Sequence, residues 1–154
     1  MTMILFMSTI KDDPVSALIR RMSMCDWSHT GFYRLEDGWT FSAMNDGKGV
    51  AWRPPNPKAT ILKITAPGVE DAFSWALKQE GKPYDRLDIA GFVFDRDWQN
   101  PSSFICDRLN FLAFINASLI PGSLAKPLLN HKFIPLEHLT PRDILVSNLV
   151  TQVF

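Results

Sequence analysis

Ile4-Leu5-Phe6 is a short apolar run that predicts a first strand, and Lys11-Asp12-Asp13-Pro14 reads as the turn that ends it. Asp13 suits an N-cap and Pro14 the first helical position, so a helix is expected from Pro14 to about Met22. Val15, Leu18, Ile19 and Met22 fall on one face, which predicts a core-facing stripe. Trp27 to Arg34, the turn Glu36-Asp37-Gly38 and Trp39 to Met44 then have the pattern of a β-hairpin. After the turn Asn45-Asp46-Gly47-Lys48-Gly49, Val50 to Arg53 pairs briefly before Pro54-Pro55-Asn56-Pro57 stops the ladder. Thr60 to Thr65 alternates and predicts a further strand, antiparallel like the others because the connections are short.

Beyond Pro67-Gly68, Ala72, Phe73, Ala76 and Leu77 recur at helical spacing, predicting a helix from Val69 to Glu80 with Gly81 as its C-cap. Pro83-Tyr84-Asp85 is a turn, Leu87 to Phe94 is helical or irregular, and Asp95 to Pro101 reads as a polar surface loop. The most apolar stretch, Phe104 to about Leu119, is apolar around nearly its whole circumference and predicts a buried helix capped by Ser102 or Ser103. Lys132 to Leu136 suggests one more strand, and Thr140-Pro141 the start of a last helix.

The 154 residues fit a single α+β domain spanning 1–154, and 46% hydrophobic with 21% charged residues is the composition of a folded chain. A formal net charge of +0 excludes a global field that would draw the protein to nucleic acid or an anionic membrane. The N-terminal decad lacks a basic n-region and a small-residue cleavage site, and no run of about 18 apolar residues exists. A cytoplasmic location without stable membrane insertion is therefore expected, and in a reducing compartment Cys25 and Cys106 stay as thiols.

Two residues then stand out for their chemistry. Cys106 falls in the first turn of the buried helix, where unsatisfied N–H groups and the dipole favour thiolate and can hold an oxyanion. His29 lies on a strand among small or hydroxylated neighbours, Ser28, Thr30 and Gly31, which leave room beside the ring. Together they suggest nucleophile and base; each also has an ordinary structural reading, as a small buried hydrophobe and as a hydrogen-bonded sheet histidine. Asp107 beside the thiol opposes its ionisation. His131 and His138 are too far apart for one helix face and have no cysteine nearby, so no metal site is expected.

Ile4-Leu5-Phe6, Leu18-Ile19-Arg20, Trp27-Ser28-His29-Thr30-Gly31-Phe32, Gly81-Lys82-Pro83-Tyr84-Asp85 and Phe104-Ile105-Cys106-Asp107-Arg108-Leu109 follow one another in a telling order. Over about residues 1 to 120 the chain resembles the circularly permuted branch of the NlpC-type papain-fold superfamily, which includes YiiX-like bacterial proteins and lecithin retinol acyltransferase. In that branch the histidine strand precedes the cysteine helix. The resemblance implies a permuted papain-like fold with a small antiparallel sheet against the cysteine helix. It implies a Cys106 nucleophile, a His29 base and no cofactor.

The family's third, imidazole-orienting residue corresponds here to Ser42, a departure from its usual Glu or His, with Asp46 as the fallback. Asp107-Arg108 replaces the family's usual Ser-Glu, and Tyr84 matches a recurrent element that either packs its turn or walls the site near the oxyanion. The implied activity is a thiol hydrolase on an amide, of cell-wall peptide type. The alternatives are a lipid acyl hydrolase or transferase, and a catalytically silent binding or phage-assembly module. The partner is accordingly a peptide or acyl substrate.

Overall fold

The computed structural model describes residues 1–86, 102–117 and 152–153. The expectations for Leu87 to Phe94, Asp95 to Pro101, Lys132 to Leu136, and the helix from Thr140 lie outside them. So do His131 and His138. The described elements are β1 (Met3–Thr9), α1 (Pro14–Ser23), β2 (His29–Arg34), β3 (Thr40–Met44), β4 (Gly49–Arg53), β5 (Thr60–Thr65), α2 (Val69–Leu77), α3 (Cys106–Asn116) and β6 (Gln152–Val153). The architecture is α+β.

All strand pairings are antiparallel, in the order β4-β3-β2-β1-β5-β6. The period-2 alternation explains what each face does. Met3, Leu5 and Met7 of β1, Phe32 of β2, Phe41 and Ala43 of β3, Val50 of β4 and Ile64 of β5 are buried in one core with Ala72, Phe73 and Ala76 of α2. Leu109, Phe111, Ala113 and Phe114 of α3 complete it. Phe73 is its hub, meeting Phe32, Phe41 and Trp52 edge-on at 5.5, 5.6 and 5.5 Å between ring centroids. Each such pair adds about 0.5–1.5 kcal/mol to the area it buries.

Helix α1 begins as its sequence predicts, with Pro14 at the first position and the Asp13 carboxylate accepting from Ser16 N–H at 2.7 Å. Two residues of its expected apolar face, however, are not core: Val15 is 50% and Leu18 44% exposed. Ser16 turns inward instead, sharing hydrogen bonds with the hydroxyls of Thr9 and Ser28 at the junction of β1 and β2. That junction is lined by hydroxyls, so the small polar residue fits it and the apolar ones do not.

Helix α2 stops at Leu77 rather than Glu80, because Gln79 and Glu80 N–H groups bond three residues back and tighten the chain into turns. Gly81, at φ +83°, completes the reversal and donates to Val50 O at 2.8 Å. The next residues then cross to α3. Asp85 N–H donates to Phe104 O at 3.0 Å and Phe104 N–H to Pro83 O at 3.1 Å, a parallel bridge centred on Tyr84 and Phe104. This pairing holds the chain extended through Ile105, so the helix starts two to three residues later than a serine cap requires. Ile105 is the N-cap, no side chain caps the helix, and Cys106 is its first residue.

Candidate active site

Cys106 is placed by that late start. The first intrahelical bond runs from Leu109 N–H to Ile105 O at 3.1 Å, so the N–H groups of the first turn have no intrahelical partner. The side chain is buried, 4% exposed, in the wall of a cavity of about 280 Å3. His29, the first residue of β2, lines the same cavity, as do Tyr84, Asp46 and Ser28. The structure thus brings Cys106, His29 and Tyr84 to one cavity, although the first two are 77 positions apart in the sequence. They make no direct hydrogen bond to each other among the described residues; Cys106 Sγ lies 3.7 Å from Asp107 Oδ2.

His29 Nε2 lies 3.0 Å from Ser42 Oγ, so the ring has a hydrogen-bond partner in Ser42, which is fully buried on β3. Close approach of the two strands makes this possible: a Cβ at Gly31 would meet Ser42 Cβ at 2.6 Å and Phe6 Cε1 at 2.7 Å. The Phe6 ring stands edge-on to the imidazole at 5.7 Å. Asp46, the fallback orienter, is committed elsewhere. Its carboxylate takes two bonds from Arg53, Nε and Nη2 each at 2.8 Å. Arg53 Nη1 in turn donates to Ser42 O at 2.7 Å, which ties the ion pair to the residue behind His29.

The electrostatics differ from the expected activated thiol. Burial pushes His29 down from 6.5 to about 3, with the Arg53 charge adding to the shift and the Asp46 charge opposing it. Burial likewise pushes the Cys106 thiol well above 9.0, reinforced by the adjacent Asp107 carboxylate and opposed by hydrogen bonds at the Thr30 and Asp107 backbone. At neutral pH both groups rest uncharged. Desolvation outweighs the helix terminus here, since the thiol is almost fully buried.

Sequence reading missed three contacts that frame the site. The Arg53–Asp46 pair is one. A buried Asp85–Arg108 pair, Oδ2 to Nη1 at 3.9 Å, is another, and it fastens the Tyr84 turn to the first turn of α3. The third is Asn110 of α3, whose amide reaches Thr30 of β2 at 3.0 Å. A buried Asn in an apolar helix was the available signal for the last. Cys25 is partly buried and lies outside the cavity, and no disulfide joins it to Cys106.

No family model and no curated protein matches the chain. Among solved structures it is similar to the crystal structure of metalloprotein yiiX from Escherichia coli O157:H7, DUF1105, at 20% identity and a TM-score of 0.65. The match covers 99% of this chain and 96% of that one. The fold is YiiX-like. Among the described residues no three His, Cys, Asp or Glu side chains group as ligands. Nor, among them, is any helix of this YiiX-like chain long and apolar enough to cross a membrane.

Proposed function

We propose that the protein is a thiol hydrolase of permuted papain-like type that cleaves an amide bond through a thioester on Cys106. The observation that carries this reading is the shared cavity: a cysteine at a helix N-terminus and a histidine held from behind by Ser42 both open onto it. Because both groups rest neutral, the base acts during attack rather than before it. Ser42 engages Nε2, which leaves Nδ1 to take the thiol proton as Sγ adds to the carbonyl carbon. N–H groups of the first turn of α3, which make no intrahelical bond, receive the developing oxyanion. His29 passes the proton to the leaving amine, and water then releases the thioester. The resemblance to NlpC-type enzymes supports a peptide of cell-wall type as substrate.

The test is incubation with short cell-wall peptides, followed by mass spectrometry of the acid-quenched protein. An acyl-peptide adduct on Cys106, released amine product, and loss of both in Cys106→Ala are expected. An adduct of one fatty acyl chain with a phospholipid instead assigns a lipid ester substrate. The neutral resting pair also favours a second reading, a silent binding module. Peptide binding with no adduct and no product in the wild type would establish it.

A further inference from the structure

Thr30 follows the proposed base directly in β2 and is gripped by α3 at two points. Its backbone hydrogen-bonds Cys106, and its hydroxyl oxygen accepts from Asn110 Nδ2 at 3.0 Å. Cys106 and Asn110 are four residues apart, hence on one face of α3. Thr30 is wholly buried and Asn110 1% exposed.

The amide orientation follows from proton counting. A threonine hydroxyl has one proton, and Thr30 gives it to Phe6 O at 2.8 Å. Asn110 must therefore present its NH2 to Thr30, and its Oδ1 is left buried without a hydrogen-bond partner. An unsatisfied buried acceptor costs about 1–3 kcal/mol, which an apolar residue in this otherwise apolar helix would avoid. A packing role does not account for an amide kept at that cost.

We infer that Asn110 is a positioning residue: through Thr30 it sets the register of the histidine strand on the cysteine helix, and so the reach of His29 toward Cys106. The inference rests on the reading of these two as base and nucleophile. A chain of bonds runs from Asn110 to Thr30 Oγ1 to Phe6 O and joins α3, β2 and β1, while Ser42 holds the ring itself from β3. Slippage of β2 along α3 is resisted by Asn110 together with the Thr30 backbone bond to Cys106, whereas Ser42 moves with the sheet.

The experiment is the rate constant for alkylation of Cys106 by iodoacetamide in the full chain, read by mass spectrometry as a function of pH. The variants are Asn110→Ala, Thr30→Val and Thr30→Ser, each also made on His29→Ala, with thermal melting alongside. Asn110→Ala and the isosteric Thr30→Val should slow alkylation about tenfold, the loss of one well-placed hydrogen bond. Thr30→Ser, which keeps the hydroxyl, should retain the wild-type rate. On His29→Ala neither Asn110→Ala nor Thr30→Val should slow it further. Equal slowing with and without His29, an unchanged rate, or collapse of the fold in both variants would overturn the inference by assigning the bond to stability or to nothing. If His29→Ala alone leaves the wild-type rate intact, it is the pairing of His29 with Cys106 that fails.

Discussion

Ser42 meets the imidazole of His29 with a hydroxyl rather than a carboxylate. It holds His29 Nε2 but brings no charge, and the nearby charge that does act on the ring, Arg53, disfavours imidazolium. Ser42→Ala removes the ring's partner and should slow His29-assisted reaction of Cys106 about five- to tenfold, in line with a net hydrogen bond of ~1 kcal/mol. Titration of the same histidine gives a second prediction. Its folded value of about 3 lies below the ordinary 6.5, so between these values the unfolded chain binds a proton that the native chain does not. Stability is therefore lost as pH falls through that window. Denaturant titrations at pH 7 and pH 4 should show a larger loss for the wild type than for His29→Gln; equal losses would mean that the ring is not buried neutral.

At the scale of elements, the strands were legible from alternation and turn residues, and β5 matches its expected span from Thr60 to Thr65. Helix ends were less legible. Ser103 looked like a cap because serine before an apolar run usually is one, yet the backbone pairing of Phe104 with Pro83 and Asp85 keeps the chain extended past it. The same bridge depends on Gly49, at φ +66°, which leaves space for the Lys82 carbonyl that Val50 N–H contacts at 2.9 Å. A Cβ at that position would collide with the Lys82 backbone. Gly49→Ala should therefore cost on the order of 1–3 kcal/mol. It should also slow Cys106 alkylation, whereas Gly47→Ala, with open space around its Cβ, should pay only for its positive φ. Alkylation unaffected by Gly49→Ala would separate the Tyr84 segment from the site. The exposed stripe of α1 teaches the complementary lesson: periodicity finds an apolar face but not which neighbour it meets, and here the hydroxyls of Thr9 and Ser28 chose Ser16.

For the molecule as a whole, the candidate pair was readable as two residue types in suggestive settings, while what holds them together was not. Asn110 and Thr30 are 80 positions apart, and the Asp85–Arg108 pair joins segments that no local pattern connects. The resting charge state was equally invisible, since it depends on how deeply the sheet and α3 enclose the thiol. The described parts converge on one cavity between β1, α1, the start of β2 and the start of α3, in a fold shared with yiiX despite 20% identity. The central claim is that His29 acts on Cys106 across this cavity. It is tested most directly by the rate of iodoacetamide alkylation at Cys106 in the native wild type and in His29→Ala at neutral pH. Modification of Cys106 in the wild type and a fall of about tenfold or more in the variant are expected. A Cys106 that resists alkylation while folded, or one that reacts equally fast without His29, would contradict it.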